Sequence, residues 1–492
     1  MFAFGSRASA KKDEALPQND DRPVLSLLTS HWLSMVGALL ATVAGCAWLV
    51  ALPNQVRGHA TNPYIGILLF IVLPLVLVLG LILMPIGVWL SRHAVRQGLR
   101  QMPSRKASLQ RLGVFLGLAT LLNIMIMSHL TYGAFTYMEG TQFCGQSCHV
   151  MKPQFTAHQR SPHARVLCVE CHVAPGAQGW LESKMAGTRQ LVDVVFGTYS
   201  RPIKSAMETN RLVPASETCE KCHWPEHFGG AKLRVIPEYG DDEKNTPSTT
   251  VLVMIVGGGG VRGIHGTHFG RGVSIRYGST DSTRQTIPWV EYRNTNENVI
   301  RTYSAEGVTP DSAGKLQQYQ MQCVDCHNRP THTFQLPERA MNRAMAVGRI
   351  PVSLPFIRKK GVEVLRTEYA TSEDAAQKIP AAIREFYTQT QPALIQARSA
   401  DVDAAAKAIL AIYNENVFPD LKVTWGTYKN NLGHTDFPGC FRCHDEAHST
   451  ADGKSITQDC GACHEIVAAS EASPGVLKTL GLEKRISELQ RK

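Results

Sequence analysis

The sequence predicts a mainly α-helical protein with two parts: three amino-terminal transmembrane helices, then an extramembrane domain of short helices and loops. Three observations predict this fold class. Three apolar segments lie before Gly133, six close cysteine pairs recur through the rest of the chain, and two stretches between the pairs have strand-like and helical patterns. With 492 residues, of which 44% are hydrophobic and 19% charged, the chain has room for several domains and is not disordered throughout.

The membrane anchor is predicted from the length of the apolar segments. Residues 32–52, 64–90 and 112–132 are each long enough to cross the hydrocarbon core of a bilayer. The first segment is longer than the apolar part of a cleaved signal peptide, so it is interpreted as a retained helix. We therefore expect a tail over residues 1–31 and a three-helix anchor over residues 32–138.

The charges between the segments predict the orientation of the anchor. Residues 91–111 contain six Lys and Arg residues and no acid, whereas residues 53–63 contain only Arg57. Short loops rich in Lys and Arg stay in the cytoplasm. Three crossings then place the tail in the cytoplasm and everything after Tyr132 on the outer side of the membrane.

Twelve of the thirteen cysteines form six close pairs, each followed directly by histidine. Motifs two to six have the spacing Cys-x-x-Cys-His, and motif one, CGQSCH, has one residue more between its cysteines. Two thiols can bond the vinyl groups of a haem, and the adjacent imidazole can then bind its iron. Neither zinc nor a disulfide requires a histidine after every pair. The motifs predict six covalently bound c-type haems, attached through Cys144 and Cys148, Cys168 and Cys171, Cys219 and Cys222, Cys323 and Cys326, Cys440 and Cys443, and Cys460 and Cys463.

Each iron needs axial ligands. The motif histidines are the predicted proximal ligands: His149, His172, His223, His327, His444 and His464. Eight other histidines after the membrane segments are candidate distal ligands: His158, His163, His227, His265, His268, His332, His434 and His448. Because His265 and His268 lie so close together, we expect one ligand between them.

The spacing of the motifs and the patterns between them divide the outer domain into four regions. Haems one to three are expected in residues 139–235, and haem four with a small antiparallel β insertion in residues 236–334. A helical insertion is expected in residues 335–430, and haems five and six in residues 431–492. The formal net charge of +10 is offset by the haem propionates, so we predict no nucleic-acid partner.

The junction between the third apolar segment and motif one resembles the NapC/NirT/NrfH family of membrane-anchored quinol dehydrogenases. The stretches that carry the resemblance are CHVM and SPHARVLCVECHVAPG, within residues 128–199. The later motifs, with NLGHTDFPGCFRCHD, resemble the larger inner-membrane multihaem cytochromes of metal-respiring bacteria. The resemblance implies that haem one lies at the membrane surface and accepts electrons from menaquinol. It also implies Met151 as an iron ligand in place of His149.

The same resemblance implies a quinol site formed by a lysine and an aspartate seven residues apart after motif two. Here Lys184 is followed by Asp193, nine residues on, and on a straight helix these two side chains would face opposite ways. Asp193 could equally form an ion pair with Arg189, and Glu182 is another candidate proton acceptor. His129, near the outer end of the third segment, is a candidate to bind quinone or a residue of the membrane interface.

The function expected from these features is oxidation of quinol from the membrane pool. The electrons would then pass to soluble periplasmic multihaem cytochromes or to a periplasmic reductase. Two alternatives stay open: a terminal reductase with an open-coordinate haem, and a relay subunit of a larger respiratory complex. The sequence leaves the direction of electron flow and the formation of a homo-oligomer undecided.

Overall fold

The computed structural model describes residues 31–56, 72–97, 105–223, 229–258 and 262–482. The chain divides into two compact units, Met1–Met138 and Glu139–Lys492. The first unit contains the apolar segments, and the second contains all six motifs.

Within its described residues the first unit has three long helices, α1 (Trp32–Val56), α2 (Leu73–Arg96) and α3 (Arg105–Glu139, whose final residue belongs to the second unit). Helices α1 and α2 pack closely because glycines face each other. A Cβ atom on Gly37 would lie 2.7 Å from the backbone oxygen of Gly80, and one on Gly87 would lie 2.3 Å from Ser34 Oγ. Such contacts between small residues are typical of helix pairs in membranes.

Two of the helical segments in the described part of the chain are long and apolar enough to cross a membrane, Leu73–Ala94 and Leu109–Glu139. The former overlaps the predicted second segment, and the latter overlaps the third. The first predicted segment corresponds to α1, in which the apolar stretch within the described residues is the shorter Trp32–Ala47. A third crossing therefore stays a prediction.

The described residues of the second unit form two antiparallel sheets. Their strands are β1 (Ala231–Tyr239), β2 (Pro247–Ile255), β3 (Val273–Ser279), β4 (Trp289–Asn294), β5 (Val299–Ser304), β6 (Gln317–Gln320) and β7 (His464–Glu471). The strand orders are β1-β2-β7 and β5-β4-β3-β6. The sequence predicted one small antiparallel sheet within residues 236–334, and strands do form in this region. They belong to two sheets, however, because β2 pairs with β1 and with the distant β7 instead of with β3.

The other helices of the second unit are mostly short. They are α4 (Lys152–Gln159), α5 (Cys168–His172), α6 (Gly176–Val195), α7 (Ile264–Phe269), α8 (Pro310–Gly314), α9 (Cys323–Cys326), α10 (Pro337–Ala346), α11 (Ile357–Arg366), α12 (Ser372–Thr390), α13 (Pro392–Asn416) and α14 (Gly475–Thr479). Motifs two and four form single helical turns, α5 and α9, while most of the helical mass lies in α10 to α13.

Helices α10 to α13 form the largest apolar core of the second unit. Met341, Ile357, Ile383 and Ile409 are almost completely inaccessible to solvent there. Helix α12 begins at a capping residue, Thr371, whose hydroxyl accepts a hydrogen bond from the Asp374 amide at 3.1 Å. The helical stretch predicted from its alanine-rich pattern lies in α13. These four helices thus form a packed body beside the motifs.

A buried asparagine joins this helical body to the first sheet. Asn245, in the turn between β1 and β2, has a φ of 47° and is inaccessible to solvent. Its side-chain amide donates to the carbonyls of Val352 and Leu354 at 2.9 and 2.8 Å, and its oxygen accepts from the Arg358 amide at 3.0 Å. The side-chain amide of Asn245 therefore has partners for both its nitrogen and its oxygen, as a buried polar group requires.

Candidate haem-binding sites

Most of the standard motifs close one tight turn that brings both cysteines and the histidine together. The histidine amide donates to the carbonyl of the first cysteine at 2.8 Å in motif three, 2.8 Å in motif four and 3.1 Å in motif five. None of the twelve motif cysteines is in a disulfide bond. Each turn therefore presents two thiols and an imidazole from consecutive positions, as covalent haem attachment requires.

Five motif histidines lie against a second imidazole from elsewhere in the chain. Two imidazoles bound about 2 Å from opposite sides of one metal ion have ring centres roughly 6 Å apart. The observed distances between ring centres are 6.3 Å for His172 and His332, 5.8 Å for His223 and His163, 6.2 Å for His327 and His265, 5.8 Å for His444 and His268, and 6.1 Å for His464 and His434. The separations fit one haem iron in each pair.

Hydrogen bonds orient several of these rings. Nδ1 of His332 donates to the Gln154 carbonyl at 3.0 Å, Nδ1 of His268 to the Ile264 carbonyl at 2.7 Å, and Nδ1 of His444 to the Thr457 carbonyl at 2.8 Å. Metal-binding histidines usually donate one ring N–H to an oxygen, which leaves the other nitrogen for the metal. Burial lowers the pKa of His332 to about 3, so this imidazole is neutral, as a ligand must be.

Two candidate distal ligands have both ring nitrogens engaged in hydrogen bonds. His158 Nε2 bonds the Val166 carbonyl at 3.0 Å, and its Nδ1 accepts from Gln159. The His448 nitrogens contact Asp445 Oδ1 at 2.8 Å and the Ile287 carbonyl at 2.6 Å. These contacts favour a structural role for both residues. A further candidate, His227, lies outside the described residues.

The expectation of one ligand between His265 and His268 differs from the arrangement in the structure. Both lie on α7, and each faces a different motif histidine, His327 and His444 respectively. Residues three apart on a helix are neighbours on one face. Their side chains can therefore reach two adjacent sites.

Motif one has a different geometry. Its extra residue is accommodated in a turn of π-helix, Phe143–Ser147. Gly145 in this turn is buried against Phe155, and a Cβ atom at Gly145 would lie 2.1 Å from that ring. Nε2 of His149 lies 3.4 Å from the hydroxyl of Tyr199, whereas Met151 is half-buried in an apolar cluster with Val150 and Tyr199.

The cysteines of consecutive motifs lie close together. The pKa of Cys144 is raised, first by a hydrogen bond with Cys168 and then by burial. Burial raises the pKa of Cys171 and Cys323, and the nearby Cys219 raises both further. Burial likewise raises the pKa of Cys326 to about 12 and that of Cys463, with Cys440 adding to both. Motifs one to six are thus neighbours in the order of the sequence.

A buried arginine near motif four, Arg329, forms no direct ion pair with a described residue. The Arg329 guanidinium lies 4.3 Å from the ring centre of Tyr428, and its Nε is buried without a hydrogen-bond partner. Burial lowers its pKa, and the nearby Tyr428 and Glu208 oppose this shift. A buried guanidinium is stabilised by a carboxylate. A haem propionate would supply this group, and Arg329 lies in the sequence between His327 and His332.

The candidate quinol residues are distributed along α6 and α3. Lys184 Nζ lies 5.5 Å from the ring centre of Trp180, and Lys184 opposes the rise in the pKa of Cys144, which indicates that it lies near motif one. Glu182 accepts from Gln178 at 2.9 Å, and Asp193 accepts from the hydroxyl of Thr198 at 3.0 Å. His129 lies on α3, in the first unit.

Helix α6 has an exposed apolar side. Leu181, Met185, Val192 and Val195 are between 49% and 69% exposed, and Phe196, just beyond the helix, is 75% exposed. Such a row of apolar side chains on a helix that also contains Lys184 is typical of a helix at a membrane surface.

Comparisons with known proteins agree with the motifs. Residues 105–232 match the N-terminal region of the NapC/NirT cytochrome c family. The cytochrome c-type protein ImcH of Geobacter sulfurreducens is 38% identical over 446 residues, covering 88% of this chain and 87% of that protein. The nitrite reductase subunit NrfH of Nitratidesulfovibrio vulgaris is 35% identical over 117 residues, covering 23% of this chain and 69% of that protein. No solved structure matches.

The motifs, the paired imidazoles and the apolar helices together define a membrane-anchored multihaem c-type cytochrome that transfers electrons. The chain belongs to the NapC/NirT/NrfH family, and its similarity to ImcH extends over most of its length. The resemblance expected from CHVM and from the later motifs is confirmed.

Proposed function

We propose that this cytochrome oxidises menaquinol at the bacterial inner membrane and passes the electrons through six c-type haems to periplasmic acceptors. The observation that carries the proposal is the series of five imidazole pairs, which follows motif one in the order of the sequence. One-electron chemistry belongs to the haem irons when they are bound. The protein's own residues hold, orient and insulate them.

Five haems are held by two histidines each in this proposal. The motif histidines His172, His223, His327, His444 and His464 bind from one side, and His332, His163, His265, His268 and His434 bind from the other. Arg329 pairs with a propionate. A nearby charge shifts the redox equilibrium of a haem iron, and a tenfold shift corresponds to about 59 mV. Buried charged groups such as Arg329 therefore influence the potential of the haems beside them.

Motif one is the proposed site where electrons are accepted from quinol. It directly follows α3, and no second imidazole from the described residues faces His149, whose ring is close to Tyr199 instead. Met151 is the proposed axial ligand, and thioether ligation raises the potential of an iron.

Quinol oxidation also releases two protons, which need acceptors near the ring. Lys184, on the side of α6 that affects Cys144, is the proposed residue that orients the quinol hydroxyl and exchanges its proton. Glu182, Asp193 and His129 are further candidates. The hydrogen bond between Asp193 and Thr198 at the end of α6 favours a structural role for that aspartate.

The proposed setting follows from the loop charges. Residues 91–111 would lie in the cytoplasm and the haem-binding unit in the periplasm, where soluble multihaem cytochromes or a reductase would accept the electrons. Anaerobic respiration, including extracellular metal respiration, is the process in which we place this chain.

A reduction assay with membrane vesicles tests the proposal. Vesicles containing the Cys144→Ala/Cys148→Ala variant would be mixed with a menaquinol analogue while haem absorbance is followed. We expect no quinol-dependent reduction of the remaining haems, although dithionite still reduces them. Cys46→Ala, which removes a membrane cysteine outside the motifs, is the matched control and should leave the rate unchanged. Rapid reduction by quinol in the double variant would refute motif one as the site of oxidation.

A further inference from the structure

A partly buried hydrogen bond joins two haem motifs. Arg442 is the residue before the second cysteine of motif five, and Asp325 occupies the corresponding position in motif four. Arg442 donates from its guanidinium to the backbone carbonyl of Asp325 at 2.7 Å. The two turns that anchor consecutive haems are therefore in direct contact through residues that are not haem ligands.

The guanidinium of Arg442 has a geometry that a smaller side chain cannot reproduce. Besides the bond to Asp325, it donates to the carbonyl of Arg284 at 2.7 Å and to that of Gly439 at 2.8 Å. Three nitrogens thus bind three backbone carbonyls from three segments. The planar, five-donor arginine side chain is suited to such a junction, and no carboxylate of the described residues forms an ion pair with it.

The carboxylate of Asp325 is the second charged group of the junction, and it is only 2% exposed. It accepts hydrogen bonds from the hydroxyl of Tyr277, from Arg284 at 2.9 Å and from the Gln322 amide at 2.7 Å. Tyr277 comes from β3, so the β insertion also supports the junction. The ion pair with Arg284 and these hydrogen bonds compensate the carboxylate for its removal from water.

Other contacts bring the same two motifs together. Asn431, also buried, donates to the Asp325 carbonyl at 3.0 Å and accepts from Gln285 at 3.1 Å. Helix α7 supplies His265 to the motif-four histidine and His268 to the motif-five histidine. Motifs four and five are thus held both through their interiors and through one shared helix.

We propose that Asp325 and Arg442 act as positioning residues that hold haems four and five in a fixed relation, and that the Arg442 charge raises the potential of haem five. The inference depends on the proposed haem binding but not on quinol oxidation. A positive charge favours the reduced iron because reduction lowers the positive charge at the centre. In a partly buried site such as that of Arg442, this effect is screened less than at the protein surface.

A redox titration of the purified full-length haem-loaded protein, with chemical mediators, tests the proposal. For Arg442→Gln we expect one of the six haem components to shift by about tenfold in its equilibrium, about 59 mV, toward lower potential. Arg442→Lys keeps the charge and should restore most of the potential. Because lysine cannot bind three carbonyls at once, it should still weaken the magnetic interaction between the two haems in electron paramagnetic resonance spectra.

Lys221→Gln is the matched control. Lys221 has the same position in motif three, and its exposed side chain makes no bond to a described residue. Removing its charge should leave the shifted component of Arg442→Gln at its original potential. An effect of Lys221→Gln on that component equal to the effect of Arg442→Gln would contradict the proposal.

Asp325→Asn decides the question if Arg442→Gln does not mature with six haems. This substitution keeps the shape of the side chain and removes a negative charge, so we expect a component to shift toward higher potential. An unchanged titration curve with six haems, or a shift in the same direction as Arg442→Gln, would overturn the proposal. Because mediators replace quinol in this assay, a failure of quinol oxidation in vesicles would leave the result unaffected.

Discussion

His172 and His332 face each other with ring centres 6.3 Å apart, although they belong to distant parts of the chain. His172 ends motif two, and His332 follows motif four by five residues. His332 is fixed from behind by its bond to the Gln154 carbonyl of α4. His332, from the segment directly after motif four, is therefore the predicted distal ligand of the haem bound at motif two.

Substitution of this distal residue should expose one iron. In His332→Ala, loss of the second imidazole should convert one ferric haem from low spin to high spin while all six haems stay attached. Electron paramagnetic resonance of the oxidised protein would measure the new signal. His158→Ala is the control, because the His158 ring centre lies only 6.4 Å from that of His332 but both its nitrogens are engaged in other bonds. A high-spin signal in His158→Ala alone would reverse the assignment.

The π-helical turn of motif one should not tolerate a side chain at Gly145. In Gly145→Ala the new Cβ would overlap the ring of Phe155, with an expected cost of about 1–3 kcal/mol in stability. Because the overlap distorts the turn between Cys144 and Cys148, we expect a loss of one haem per chain, measured by haem-to-protein ratio. Gly461→Ala is the matched control: Gly461 follows the first cysteine of motif six, and its Cβ would meet nothing closer than 3.5 Å. Equal haem loss in both variants would argue against a special packing role for Gly145.

Arg329 should stabilise the haem-loaded protein through its charge. In Arg329→Gln the proposed propionate partner would lose its cation, so we expect one haem component to shift toward lower potential and the thermal unfolding temperature to fall. Arg276→Gln is the comparison, because Arg276 also lies over an aromatic ring, that of Trp289 at 5.8 Å, but its side chain is 47% exposed. Unchanged potentials in Arg329→Gln would rule out the propionate contact.

Lys184 should affect quinol oxidation without affecting haem content. Since a positioned proton-transfer group typically contributes a factor of 10² to 10⁴, Lys184→Gln should slow quinol-dependent reduction by roughly a hundredfold. Stopped-flow mixing of vesicles with a menaquinol analogue measures this rate. Arg189→Gln, which removes a positive charge from the same helix, should retain most of the rate. Similar losses in both variants would indicate a general effect of charge on α6.

Asn245 should contribute to stability without contributing to electron transfer. Asn245→Ala would leave two carbonyls and the amide of Arg358 without partners in a buried turn, an expected loss of about 3 kcal/mol in the free energy of unfolding. Denaturant unfolding would measure the loss. Asn298→Ala is the control, because Asn298 also has a positive φ, 51°, but lies in an exposed turn. A comparable loss in both variants would assign the effect to backbone conformation alone.

Local patterns in the sequence were sufficient to predict the haem motifs, the presence of strands and the helical insertion. Cysteine spacing specifies a single turn, alternating residues specify a strand, and both signals are complete within a few residues. The partner of β2 is not local: β7 lies more than two hundred residues further on, so its pairing with β2 depends on the tertiary fold. For this reason the sequence predicted one sheet, whereas the structure has its strands in two.

The same limit applies to the distal histidines. From the sequence, His158 and His332 are equivalent candidates, since both follow a motif closely. Only the structure shows that Val166 and Gln159 engage the nitrogens of His158, whereas the Gln154 carbonyl leaves one nitrogen of His332 free of protein partners in the described residues. Likewise, the sequence does not show that His265 and His268 face different motif histidines, because that depends on where His327 and His444 lie in the fold.

Strand β7 begins at His464, the histidine of motif six, and pairs with β2. Because the chain is synthesised from its amino terminus, one edge of β2 has no partner strand until motif six has been made. Unpaired strand edges invite aggregation and are recognised by quality-control proteins. A chain that stops before motif six would keep this edge unpaired, so we expect it to aggregate or to be degraded more readily than the full-length chain.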